Sequence, residues 1–306
     1  MEKRLTRIDL MFALGFLFML IVAVGAFFYG VKVGTSQAEA KQEKAAPTES
    51  ASPAAAVAYQ LQDLVSFYHT VFLPYREFMS DWQAAQQKWL VDDSIDRSSS
   101  LKELAKTATS KYESVKTAYT NPVSPLLKEA QDQYLKSLKL YASAFSENVA
   151  TANEGTAGIA LNKIRGDAYY KEGLKNGLSA QQDYYDSMVK WASSVDMDIP
   201  FDSDNKTTIG LTQWKALPLV AKNELTARYL QEQSLMSDFL PHDLTARIDG
   251  FIASGQAEKM KLKTMGSIAE LLTRTDAVRS GDFLSLKNRF YAKQLLPQLP
   301  FFSPDK

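Results

Sequence analysis

Cysteine is absent from all 306 residues, and with it go disulfides, thiolate metal sites, a lipoprotein-type acylated cysteine and any cysteine nucleophile. Excess charge is absent as well: 35 Lys and Arg balance 35 Asp and Glu, so no overall field gathers nucleic acid or acidic polymers, and no nucleic-acid partner is expected. Only two histidines occur, His69 and His242, and neither stands at a metal-ligand spacing such as H-E-x-x-H. G-x-S-x-G, a P-loop, S-x-x-K with its partner motifs and G-x-G-x-x-G are all missing, which leaves nucleophile and phosphate-cradle chemistries without an anchor. An enzyme would need groups converging from distant helices. The sequence therefore leans away from catalysis and assigns no catalytic residue, metal or cofactor.

Glycine is missing from Thr35 through Glu154, and proline between Pro125 and Pro200. No later segment shows the alternating β-branched pattern of strands. The fold class this predicts is all-α.

Among what is present, the first feature is a run of 22 uncharged residues from Leu10 to Val31. At ~1.5 Å rise per residue, such a helix crosses a ~30 Å hydrocarbon core, so residues 10–31 read as a transmembrane signal-anchor in contact with membrane lipid. The alternative is a cleaved signal peptide, with Lys3, Arg4 and Arg7 as its head and Ala38-Glu39-Ala40 as its cleavage site. Against cleavage, the run exceeds the roughly 7–15 residues of a signal core, and the small-residue site lies well past its end. Lys32, Lys41 and Lys44 balance the three basic residues of the head, so the positive-inside rule does not decide orientation. A short basic head followed directly by the apolar run favours residues 1–9 in the cytoplasm and a single-pass protein at the cell membrane, its domain extracytoplasmic. Residues 32–56 form a spacer: from Gly34 to Ala56 there is no aliphatic residue beyond alanine and no aromatic to bury.

Residues 57–195 read as an antiparallel, up-down four-helix bundle. Leu61, Leu64, Tyr68, Val71, Tyr75, Phe78, Trp82, Ala85 and Trp89 make a 3.5-residue seam of the kind bundles and coiled coils require, with Pro74 predicted to kink it. Ser100-Leu-Lys-Glu103 reads as a capping box opening the second helix, whose seam runs to Tyr119 before Asn121-Pro122. Ser124-Pro125 opens the third helix with an N-cap and an N1 proline. A fourth pattern begins at Ile159 and continues to Val195, either as one helix or as two joined near Asn176-Gly177, where Ser179-Ala-Gln-Gln182 resembles a fresh cap. Residues 196–210 form an acidic linker. Residues 211–306 make a region of shorter helices broken at Pro218, Pro241, Gly255, Gly266 and Gly281, and ending in LLPQLPFFSPDK, whose prolines favour an extended course.

The linker carboxylates Asp196, Asp198, Asp202 and Asp204, with Asn205, are oxygen ligands of the kind calcium takes, but they lack the EF-hand turn and closing glutamate. A solvated linker is the simpler reading. His69, in the seam helix, is expected to be partly buried and hydrogen-bonded; His242, at a helix start, is expected to cap or to be exposed. The aromatic load of the seams is the unusual feature. Buried phenols and indoles need polar partners, so a kink at Pro74 would open a ligand or partner groove lined by Tyr68, Tyr75, Phe78 and Trp82, against an ordinary amphipathic core as the simpler alternative.

The architecture resembles the extracytoplasmic four-helix-bundle sensor domains of bacterial chemoreceptors and histidine kinases, but without their second membrane helix and output module. The function this points to is a membrane-tethered, extracytoplasmic, non-catalytic module that binds a partner protein or envelope component. The alternative is a small-molecule-binding accessory of a transporter or sensor that uses the aromatic groove, with an envelope enzyme third.

Overall fold

The computed structural model describes residues 58–196, 199 and 208–303. The expected head, membrane segment and spacer lie outside the described residues, as does most of the acidic linker. Among the described residues no helix is long and apolar enough to cross a membrane, and all regular structure is helical apart from one isolated bridge between Gly210 and Thr264.

The first rod is continuous but not uniform: α1 (Leu61–Phe67) passes through a π turn at Tyr68–Phe72 into α2 (Leu73–Val91). Proline explains the turn. Pro74 has no N–H, and in an α-helix its ring would strike the carbonyl four residues back. Instead the ladder widens just ahead of it, Leu73 N–H donating to Tyr68 O five residues earlier. The disturbance expected at Pro74 takes the form of a π turn just ahead of it. The wider turn slides the seam, which steps from Leu64 through Phe67, Val71 and Phe72 to Tyr75, all buried. His69 consequently faces solvent rather than lying partly buried.

α3 (Arg97–Lys116) starts earlier than Ser100, because the Asp96 side chain accepts from Ser99 N–H at 3.1 Å and is itself held by Asn153 Nδ2 at 2.8 Å. Ser100 and Glu103 therefore sit inside the helix, and its end at Lys116 leaves Tyr119 75% exposed. α4 (Pro125–Asn148) begins at the predicted Ser124-Pro125. The Ser124 hydroxyl serves another segment, accepting from Tyr59 N–H at 2.8 Å and donating to Asp63 Oδ2 at 3.3 Å. The fourth pattern divides into α5 (Ala157–Gly166) and α6 (Ala168–Val195) at Asp167, which caps α6 by accepting from Tyr170 N–H at 3.0 Å. Asn176, Gly177 and Ser179 lie within α6, so the break is not where the glycines suggested. Ile159 and Val195, counted in the seam, are exposed.

Opposite ends of the bundle are tied separately. The 117–124 turn meets Tyr59 and Asp63, whereas Arg97, at the other end, donates from Nε to Ala152 O and from Nη2 to Gly155 O, both at 2.7 Å. Neighbouring rods therefore run antiparallel, with α4 between α3 and α6.

The remaining helices are α7 (Leu211–Ala216), α8 (Leu219–Glu232), α9 (Pro241–Ala253), α10 (Gln256–Lys259), α11 (Met265–Arg274) and α12 (Asp282–Phe290). Pro218 caps α8 and Pro241 is at the first turn of α9, while Gly255 and Gly281 precede α10 and α12 with φ of +75° and +87°. Gly266 does not break the chain; it is the second residue of α11. Because α6 packs on α8, the bundle core continues without a gap into Leu219, Phe283, Leu299 and Phe302. A second cluster gathers Trp214, Leu225, Ile248 and Ile268. The linker at 196–210 divides the sequence, but it does not divide the core.

Candidate functional site

Three of the four residues expected to line an aromatic groove are core. Tyr75, Phe78 and Trp82 are 1%, 0% and 0% exposed, and their rings lie 4.3 Å from Tyr134, 5.5 Å from Tyr141 and 4.8 Å from Phe145. Their polar atoms are answered internally. Tyr75 Oη is 3.0 Å from Ser137 Oγ, which donates to Gly173 O at 2.6 Å, and Trp82 Nε1 donates to Tyr170 Oη at 3.1 Å. Burial raises the Tyr75 phenol well above its ordinary range, the Ser137 bond opposing. These contacts make the wet interior that the aromatic load suggested unnecessary here.

Tyr68 is different. It is half-buried at the rim, and beside it the seam meets the C-terminal segment: the Phe301 ring lies 5.3 Å from Tyr68, 5.8 Å from Phe72 and 4.9 Å from His242. His242 is buried, contrary to the exposure or capping expected of it, with Nδ1 2.8 Å from Tyr185 Oη. The cap of α9 is supplied instead by Asp243, whose Oδ2 accepts from Leu240 N–H at 3.0 Å, so the histidine is free to turn inward. Burial, then the positive charge of Arg76, pushes its pKa down to about 3, which keeps the imidazole neutral.

Among the solvent-facing concavities of the described residues, two lie around α7. One cleft of about 710 Å³ is bounded by Leu211, Thr212, Ile252, Ala257, Lys261 and Lys263. A second, of about 540 Å³, is bounded by Leu217, Lys222, Asp249, Phe290, Tyr291 and Gln294. Lys215 and Ile252 belong to both, so the two flank one short helix. Lys215, Lys261 and Lys263 are exposed, and none forms an ion pair among the described residues.

At the wall of the second cleft sits a polar hub on Asp249. Its Oδ1 accepts from Trp214 Nε1 at 2.7 Å and Lys222 Nζ at 3.1 Å; its Oδ2 accepts from Lys222 Nζ at 3.0 Å and Tyr291 Oη at 2.8 Å. Lys222 also lies over the Trp214 ring, 5.3 Å from its centroid. A carboxylate has about four acceptor positions, and four are taken. The hub holds α7, α8, α9 and the segment after α12 together, and it has no lone pair left over for a reacting group. Burial and the adjacent Asp249 charge raise the Tyr291 phenol. Sequence reasoning passed over this hub. Its one local trace is a charge inside an apolar run, Ile248-Asp249-Gly250-Phe251-Ile252, and nothing local names the partners. Among the described residues no group of three or more His, Asp or Glu is placed to hold a metal.

No family model, curated protein or solved structure matches this chain.

Proposed function

We propose that the chain is a membrane-tethered, extracytoplasmic, non-catalytic binding module, anchored through residues 10–31 and given reach by the 32–56 spacer, which takes hold of a partner protein through the clefts flanking α7. The observation that carries this reading is the pairing of an apolar floor (Leu211, Ile252, Ala257) with three exposed lysines that form no ion pair among the described residues. Such a surface fits a segment that is partly apolar and acidic, since complementary charge steers the encounter and apolar burial holds the complex. The saturated Asp249 hub favours binding over catalysis at this surface. The small-molecule alternative drew on an open aromatic groove, and three of that groove's residues are packed in the core.

Because the core crosses residue 211, point substitutions probe this surface more cleanly than deletion of the C-terminal region. Full-length protein carrying K215E, K261E and K263E is compared with wild type by crosslinking and mass spectrometry in its native membrane. Loss of a specific protein partner, with helical circular dichroism unchanged, is the supporting result. Capture of the same partners by the variant overturns the assignment of the surface; retention on anionic envelope material alone replaces the protein partner with an envelope component.

A further inference from the structure

The segment from Leu295 to Ser303 is packed like a ligand rather than like a helix of the fold. Pro297 and Pro300 bar it from regular structure, and its own backbone bonds close on itself: Leu299 N–H donates to Pro297 O at 2.8 Å, Phe302 N–H to Leu299 O at 2.9 Å and Ser303 N–H to Leu299 O at 3.0 Å. Among the described residues its hydrogen bonds to the rest of the domain come from one side chain, Lys287, whose ammonium donates to Phe302 O and Ser303 Oγ at 2.8 Å each. Everything else that holds it is side-chain burial. Leu299 and Phe302 are each 1% exposed, and Phe301 is half-buried.

The surface receiving it is an aromatic wall built by four parts of the chain. Phe301 stacks on His242 at 14° between planes and lies near-parallel to Tyr185 at 6.4 Å, while Tyr68 and Phe72 of the π turn close its other side. Phe302 packs edge-on against His242 at 5.0 Å and Phe283 at 5.4 Å. A segment stiffened by P-x-x-P spacing and closed on itself at Leu299–Ser303 loses little further entropy on docking against an aromatic wall. Pro297-Gln-Leu-Pro300 has that spacing, and two phenylalanines follow it.

We propose that this aromatic wall is a peptide-binding groove for a proline-fixed, aromatic-bearing turn segment, with the chain's own residues 295–303 as its resident occupant and a partner segment of the same chemistry as its exchange ligand. The seam thus forms a recognition surface at Tyr68, about two turns before Tyr75, and the chain itself fills it. The root of the segment also belongs to the second cleft, since Gln294 lines it and Gln294 Oε1 accepts from Leu219 N–H at 3.2 Å. Release of the segment would therefore be felt at α7. The groove stands independently of the lysine surface, and either assignment can fail without the other.

The test uses the full chain with a protease site introduced at the exposed Ala292-Lys293, cut in the folded state, and a fluorescent peptide of residues 294–303 (QLLPQLPFFS) added in excess. The cut chain is expected to keep its helical circular dichroism and to take up the peptide saturably by anisotropy, while the uncut chain takes up none. A peptide with alanine at both phenylalanine positions should bind at least about tenfold more weakly, since each buried ring is worth more than one decade in affinity. Intact protein carrying F301A and F302A provides a second arm, and should bind the unmodified peptide without any cut. Collapse of the helical signal on cutting would mark the segment as permanent core, and a folded cut chain that refuses the peptide would show that the groove does not exchange; either overturns the proposal.

Discussion

The phenol of Tyr75 occupies the space in which a side chain at Gly177 would have to begin. A Cβ built there overlaps the hydroxyl outright and stands 2.8 Å from Tyr75 Cζ and 3.2 Å from Ser137 Oγ. A glycine in the middle of α6, costly by helix propensity alone at ~1 kcal/mol, is thus the condition for α2 and α6 to approach closely around that hydroxyl.

Gly177→Ala should accordingly destabilise the domain by about 1–3 kcal/mol, the range for overpacking a filled core, where an uncrowded helix would gain from the change. In Tyr75→Phe the colliding oxygen is gone, so the double variant should lose less than the two single losses added together. Urea titration of all four proteins measures this; an additive result would mean that the two residues do not share the space.

Arg76 ties the first rod to the loop before α9, donating from Nη1 to Ser237 O at 3.2 Å and from Nη2 to Asp238 O at 2.9 Å. Arg76→Ala leaves both carbonyls without that partner and should cost roughly 1–3 kcal/mol. Lysine should rescue little, since a single ammonium does not reproduce the planar fork. Hydrogen exchange is the discriminating readout: faster exchange in residues 233–240 with 97–148 unchanged is the expected pattern, and uniform acceleration would point to a general loss of packing instead.

Stability should fall as pH rises from about 5 to about 8. Asp183 is pushed up from 3.8 to about 7 by burial and then by Glu129 and Asp186. Glu224 is pushed up from 4.5 to about 7 by burial and Asp186, against the pull of Arg228. A raised native pKa stabilises fully below the unfolded value and loses that contribution as pH climbs through the native one. His242 acts oppositely: its native pKa is depressed from 6.5 to about 3, so stability is lost as pH falls across that interval. Between about 4.5 and 6.5 the native state holds two carboxyl protons that the unfolded chain has released, and lacks one imidazole proton that the unfolded chain carries, so the carboxyls prevail. Asp183 Oδ2 and Gln133 Oε1 are buried without a donor, and a proton on Asp183 supplies one at that position. Asp183→Asn should therefore raise the melting temperature at pH 8 and flatten the profile; a variant that melts lower than wild type at pH 8 would contradict this.

The Asp249 hub predicts an asymmetry. Asp249→Asn leaves the Lys222 ammonium, whose side chain is 11% exposed, without its counter-charge, and breaking such a pair costs about 3–5 kcal/mol. Tyr291→Phe removes one neutral donor of the set and should cost about 1 kcal/mol. Comparable losses in thermal melts would mean that Lys222 finds another partner.

Much of the fold was legible because it rests on local rules. Missing glycine and proline, the 3.5-residue seam and the Ser124-Pro125 start are properties of neighbours along the chain, and they led to all-helical structure and to most of the buried positions. The misses share a cause. Asp96 displaced the Ser100 box because Asn153, 57 residues on, supports it. The α5–α6 break fell at Asp167 because Gly177, the more suspicious position, is required by Tyr75.

The candidate sites divide in the same way. Sequence alone marked Tyr68 and its neighbours as aromatic, marked Pro74 as a disturbance and set the prolines of the C-terminal segment against helix. Local chemistry dictates those features in any fold. Only the tertiary structure decided that Tyr75, Phe78 and Trp82 are sealed in the core, that Phe301 comes back to lie against Tyr68 and His242, and that Trp214, Lys222 and Tyr291 converge on Asp249. Those partners are tens to hundreds of residues apart, and no periodicity carries information over that distance; packing selects them, because a buried charge, phenol or ring must find whatever complement the assembled helices bring within reach.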